Sequence, residues 1–100
     1  MVKLGLLATL VAKPGKEKEL EEFLLSGLSL AENEPKTITW YAIKLNNSTF
    51  GIFDSFNDED GRSAHLNGEI AKALMQKASD LLSKDPQIEK VEIIAAKSSK

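Results

Sequence analysis

The segment from Lys3 to Ala12 is apolar at both strand parities, with Leu4, Leu6, Ala8 and Leu10 on one side and Leu7, Thr9 and Val11 on the other. Successive side chains of an extended chain point to opposite faces of a sheet. A strand with one wet face alternates apolar and polar residues, so this pattern predicts a sheet covered on both faces. The rest of the chain must supply those covers. Pro14 and Gly15 end the strand.

From Lys16 the periodicity changes. Leu20, Phe23, Leu24, Leu28 and Ala31 recur at steps of three and four while Glu17, Lys18, Glu21 and Glu22 take the other side, which predicts an amphipathic helix. Pro35 disfavours helical geometry at Glu34 and ends it. Such a helix, about 15 residues or roughly 22 Å long, matches a strand of about seven residues at about 3.3 Å each. Thr37 to Leu45 and Ser48 to Phe56 are rich in β-branched and aromatic residues, and Asn46-Asn47 between them tolerates positive φ, so they predict a β-hairpin. Asn57 is a candidate cap for a following short helix, with Asp58, Glu59 and Asp60 in its first turn and Asn67-Gly68 interrupting it. A second amphipathic stretch begins near Glu69, aligns Ile70, Leu74, Ala78 and Leu81, and stops at Lys84-Asp85-Pro86. The last strand is expected over Ile88 to Ala96.

Strand, helix, strand, strand, helix, strand is the order of an α+β, ferredoxin-like βαββαβ fold: a four-stranded antiparallel sheet with two helices on one face. Helices on one face leave the other bare, although its strands are apolar at both parities. A second copy packed sheet to sheet is the economical cover, so a homodimer through the open sheet face is expected.

One hundred residues make one small domain, expected over 1–96, with 97–100 a disordered tail. A domain of this size buries only about 60 to 65 per cent of the surface its unfolded chain exposes, so partner burial would help it. Thirteen basic and fifteen acidic residues leave a formal charge of −2 with no basic stripe, which argues against nucleic acid as a partner. The chain lacks cysteine, which excludes disulfides and thiolate metal sites and makes a reducing cytoplasm its natural home. Met1 to Ala12 contains Lys3 and falls far short of the roughly 20 residues of a membrane span, so no membrane partner is expected.

Chemistry, if there is any, points first to His65, the only histidine, because unperturbed imidazole titrates between about pH 5 and 8. It could act on a proton or simply cap a helix end near the Asn67-Gly68 break. Trp40 and Tyr41 are neighbours on one strand, so one faces the helices and any cavity while the other faces the opposite side. Phe50, Ile52, Asp54 and Phe56 share one side of the third strand, and Phe53 lies on the other with Gly51, which marks a bulge, a close approach or a weak strand position. Asp54 among apolar neighbours needs a partner such as Arg62, a lysine or a backbone amide, unless it caps or faces the surface. Arg62, the only arginine, could anchor an anionic or phenolate ligand or form a local ion pair behind three acids. His65 is thus the catalytic candidate, and Trp40, Tyr41, Phe53 and Arg62 are the candidate substrate contacts. No ligand spacing for a metal, phosphate-cradling glycine loop or nucleophile motif is recognisable, so neither a metal nor an organic cofactor is expected.

The βαββαβ order, LLATLVAKPGKEKELEEFL near the start, FGIFDSFNDEDG at the end of the hairpin and the following SAHLNGEIAKAL together resemble the antibiotic biosynthesis monooxygenase domain, a dimeric α/β barrel family. The resemblance runs from about Val2 to Ala96 and is most specific from the aromatic third strand through the acidic turn to Ala64-His65. It implies a cavity between the sheet and its helices, and oxidation of phenolic or anthrone-like molecules by molecular oxygen with no metal or flavin. His65 matches the family's recurrent histidine, and an acid near Asp54 suggests a structural pair at the dimer face. A neutral imidazole there would accept a phenolic or enolic proton and leave an electron-rich substrate that reacts with oxygen. The axial histidine of haem-degrading relatives has no counterpart between Ile70 and Leu82. Two functions follow as expectations: a cofactor-independent monooxygenase for a small aromatic or quinone-like molecule, or a dimeric small-ligand binding or sensing module without turnover.

Overall fold

The first strand, β1 (Leu4–Val11), lies inside the sheet and pairs on both sides. In the computed structural model, which describes residues 2–97, it is followed by α1 (Glu17–Glu32), β2 (Thr39–Lys44), β3 (Thr49–Phe56), α2 (Glu59–Leu66), α3 (Glu69–Leu81) and β4 (Gln87–Glu92). The strand order is β2-β3-β1-β4, antiparallel throughout. This is the expected α+β, ferredoxin-like arrangement, with its second helical segment divided into α2 and α3 at Asn67 and Gly68. From residue 98 on, the expected tail lies outside the described residues.

Register explains why β1 is apolar at both parities. Leu6, Ala8 and Leu10 stand beside Asp54, Ile52 and Phe50 of β3, and of these Ala8, Leu10, Ile52 and Phe50 pack with Leu20 and Leu24 of α1 and Leu74 and Leu81 of α3 to form the core. The opposite parity sets Leu7 beside Phe53, and Phe53 beside Tyr41. On that face Leu7, Val11, Phe53 and Val91 are half-buried, while Tyr41 is 56% and Ile43 44% exposed. Gly51 opens space there: a Cβ would come within 3.2 Å of Ile43 Cγ1 and 3.3 Å of Leu45 Cδ1, the side chains that fold over it. The pairing is unbroken from Thr49 to Phe56, so Gly51 marks a close approach and not a bulge.

Three local expectations are corrected. Positive φ plays no part in the hairpin turn, because no described non-glycine residue adopts it. Instead Asn46 Oδ1 accepts from the Ser48 and Thr49 amides at 3.0 and 2.9 Å, an Asx turn. Asp58, not Asn57, caps α2: its backbone is extended and its Oδ1 accepts from the Gly61 amide at 2.9 Å. Strand β4 ends at Glu92 rather than Ala96. Leu4 pairs with Glu92, the Ile93 amide still donates to Lys3 O at 2.8 Å, and beyond that β1 has no residues left to offer.

Candidate functional site

Strand alternation carries Asp54 onto the helix face between Ile52 and Phe56, where it is 1% exposed. Burying a carboxylate is costly unless it is paired and hydrogen-bonded. Its partner is His65, which the last turn of α2 aims at the sheet: Nε2 lies 2.9 Å from Asp54 Oδ2. The other ring nitrogen is also taken, with Nδ1 2.6 Å from Glu34 Oε1 in the α1–β2 connection. Glu34 Oε1 accepts from Thr37 Oγ1 as well, at 2.7 Å, and the Phe56 ring packs 5.5 Å from the imidazole, centroid to centroid. Sheet, helix and loop thus meet in a line of carboxylate, imidazole and carboxylate.

That line fixes the protonation chemistry. A neutral imidazole donates one hydrogen bond and accepts one, and two carboxylates can only accept. The trio therefore holds one proton beyond a neutral ring and two carboxylates, as an imidazolium between two anions or with the proton shifted onto one of them. Burial by itself pulls the His65 pKa down, but the hydrogen bond and charge of Asp54, then those of Glu34, outweigh it and leave the pKa raised above the ordinary imidazole value. A neutral imidazole presenting a free nitrogen to a ligand does not fit this geometry. The three groups bond one another in series, and among the described residues no group of three such side chains could hold a metal ion.

Two recesses flank the line. On the sheet side is a narrow apolar cavity of about 50 Å³, bordered by Leu24, Trp40, Ile52, Asp54, His65 and Ile70 among others. It is large enough for a few waters or dioxygen but well below the roughly 300 Å³ at which small-ligand pockets begin. Two buried polar atoms of its lining residues lack a partner among the described residues: the acceptor Asp54 Oδ1 and the donor Trp40 Nε1. Trp40 and Asp54 are direct cross-strand partners. Gly27 makes room for Ile70 at this cavity, since a Cβ there would meet Ile70 Cδ1 at 3.1 Å, whereas Trp40 Cζ2 would lie at an ordinary 3.5 Å. On the other side of the ring is a groove of about 500 Å³ lined by Glu34, Pro35, Lys36, Ala64, His65 and Gly68, with others.

Of the candidates read from the sequence, His65 and Trp40 come together at the cavity. Tyr41 and Phe53 lie side by side on the opposite face of the sheet. Arg62 borders neither recess: Nη1 donates to the carbonyls of Gly5 and Val91, both at 3.3 Å, and Nη2 pairs with Glu59 Oε1 at 2.6 Å, tying α2 to β1 and β4. The Arg62 hydrogen bond, with that of Ser63, lowers the Glu59 pKa. Two groups of the line, Asp54 and Glu34, are not among the candidate site residues of the sequence. Asp54 carried a signal in its parity with Phe50, Ile52 and Phe56. Glu34 carried none, because its partner is 31 residues away.

No family model matches the sequence, and no curated protein does. Among solved structures, the chain is similar to NE2512 of Nitrosomonas europaea, a protein of unknown function, with 56% identity over 100% of this chain and 97% of that one and a TM-score of 0.97. A proposed antibiotic biosynthesis monooxygenase from Caulobacter crescentus superposes with a TM-score of 0.80 at 20% identity, covering 94% of this chain and 92% of its own. Another, from Nitrosomonas europaea, gives 0.81 at 10% identity over 92% and 90%.

Proposed function

The chain belongs with NE2512 to the antibiotic biosynthesis monooxygenase-like fold family, and from that premise we propose that it is a cofactor-independent monooxygenase for a small hydroxylated aromatic or quinone-like molecule. The observation that carries the reading is the pair of buried, unpartnered atoms at one apolar cavity, Asp54 Oδ1 and Trp40 Nε1. Leaving such groups unsatisfied costs about 1–3 kcal/mol each, and a ligand hydroxyl answers both by donating to the carboxylate and accepting from the indole. Asp54, backed by His65, then takes the hydroxyl proton. The electron-rich ring that results reacts with dioxygen: an activated ring CH₂ becomes a carbonyl with one oxygen atom, and its two hydrogens leave with the other as water.

The cavity of about 50 Å³ is too small for a whole ring, so binding requires lining residues at its exposed rim to move. Ile88, 44% exposed, is one of them. The same narrowness favours a second reading, a ligand-binding or sensing module that takes up a hydroxyl-bearing molecule and does not turn it over. Oxygen uptake with a panel of hydroquinones and anthrones tests the first, with Asp54→Asn lowering kcat on the order of 100-fold. Saturable NMR shifts at Trp40 with no oxygen consumed would leave the binding module standing and overturn the enzyme.

Assembly enters as part of the proposal. Leu7, Val11, Phe53, Tyr41 and Ile43 form an apolar strip on the sheet face away from the core, and a second copy packed there would complete the two-sided cover that β1 demands. Among the described residues no helix is long and apolar enough to cross a membrane. A cytoplasmic setting belongs to the proposal, on the absence of cysteine from the sequence.

A further inference from the structure

We infer that Glu34 is the outlet of a proton path running from Asp54 through the His65 ring into the wide groove between the α1–β2 connection and the α2–α3 junction. The inference rests on the reading of Asp54 as the base that faces the ligand. Three observations carry it. The path is continuous, at 2.9 Å from Asp54 Oδ2 to Nε2 and 2.6 Å from Nδ1 to Glu34 Oε1. Among the described residues His65 alone lines both the apolar cavity and the groove. Side-chain exposure rises along the line, from 2% at Asp54 through 9% at His65 to 19% at Glu34.

Gly68 keeps the outlet open. A Cβ at this residue would lie 2.8 Å from Glu34 Oε2, so a side chain would displace the carboxylate from its seat in the groove. Other polar groups near the path do not compete for it. Thr37 donates to Glu34, Lys36 and Glu69 line the groove, Trp40 borders the cavity, and Arg62 is turned to backbone carbonyls and Glu59.

The transfer balances within the trio. Its resting proton count allows Asp54 Oδ2 to carry the shared proton against Nε2 while Nδ1–H faces Glu34. When a ligand O–H gives its proton to Asp54 Oδ1, Oδ2 passes one to Nε2 and Nδ1 passes one to Glu34 Oε1. Each group takes one proton and gives one, and Glu34 yields its proton to water in the groove. Rotation of the Asp54 carboxyl and exchange of the ring tautomer restore the starting state. Without such an outlet the ligand's proton would stay in an apolar cavity beside the anion it left.

Because His65 is the only histidine, its ring protons can be followed by nitrogen-15 NMR in the intact chain without any substrate. The path predicts that Glu34→Gln, which keeps bulk and loses basicity, slows exchange of the Nδ1 proton with water, while Asp54→Asn does not. In Glu34→Ala, sodium formate diffusing into the groove restores exchange in proportion to its concentration. Gly68→Ala, which displaces Glu34 without removing it, reports the same loss should Glu34→Gln fail to fold. Unchanged exchange in Glu34→Gln, or no response of Glu34→Ala to formate, overturns the path. In turnover, Glu34→Gln lowers kcat with KM nearly unchanged and raises the solvent deuterium effect. Oxygen uptake with exchange indifferent to Glu34 would sink the path and spare the monooxygenase reading. Glu34-dependent exchange with no oxygen consumed from any hydroquinone would uphold the path and sink the oxidation.

Discussion

His65 ties stability to pH in a direction that follows from its partners. The folded state raises its pKa above the ordinary value of 6.5, so the folded chain holds the ring proton more tightly than the unfolded one does. The stabilisation is therefore complete below about pH 6.5 and is lost as pH rises through the raised value. Urea unfolding between pH 6 and 9 is expected to show falling stability in the wild type and a flatter profile in His65→Gln; parallel profiles would refute the assignment. Asp54→Ala strips one counter-charge from a buried ring and is expected to cost about 3–5 kcal/mol in the same assay. At this scale the sequence is legible where scarcity or pattern marks a residue. A lone histidine invites attention, and an aspartate in phase with Phe50, Ile52 and Phe56 can be traced to the core. Glu34 is illegible, since nothing around Pro35 tells that the residue before it will meet an α2 side chain.

The elements themselves are readable from periodicity, and their ends are not. Apolar steps of three and four locate α1 and α3, and β-branched and aromatic runs locate the hairpin, because both patterns are properties of a single segment. Boundaries depend on partners. Strand β4 stops at Glu92 because β1 runs out at Leu4, a fact absent from Ile88 to Ala96 itself. The start of α2 is a choice between two good caps, decided when Asp58 turns extended and reaches the Gly61 amide. Asp58→Ala should therefore lower stability by about 1 kcal/mol, and Asn57→Ala by a few tenths at most. Chemical denaturation of both variants checks this, and equal losses would mean that the cap is shared.

For the molecule as a whole, the strand pattern reached further than any residue, since a first strand apolar at both parities foretold two covers, and the helices provide one. The open face carries Tyr41 and Phe53 in direct register, so light scattering at micromolar concentration is expected to give the mass of two chains. Phe53→Glu, which places a charge in the middle of that strip, should weaken the pair toward monomer; a monomeric wild type would dismiss the interface. The central position of β1 also bears on how the chain is made. It leaves the ribosome before both strands that complete its hydrogen bonds, Thr49–Phe56 and Gln87–Glu92. At about 5–20 residues per second the first strand waits on the order of ten seconds for its last neighbour. Until then β1 can pair only with β3, and the row of its backbone groups that β4 later covers stays an open edge.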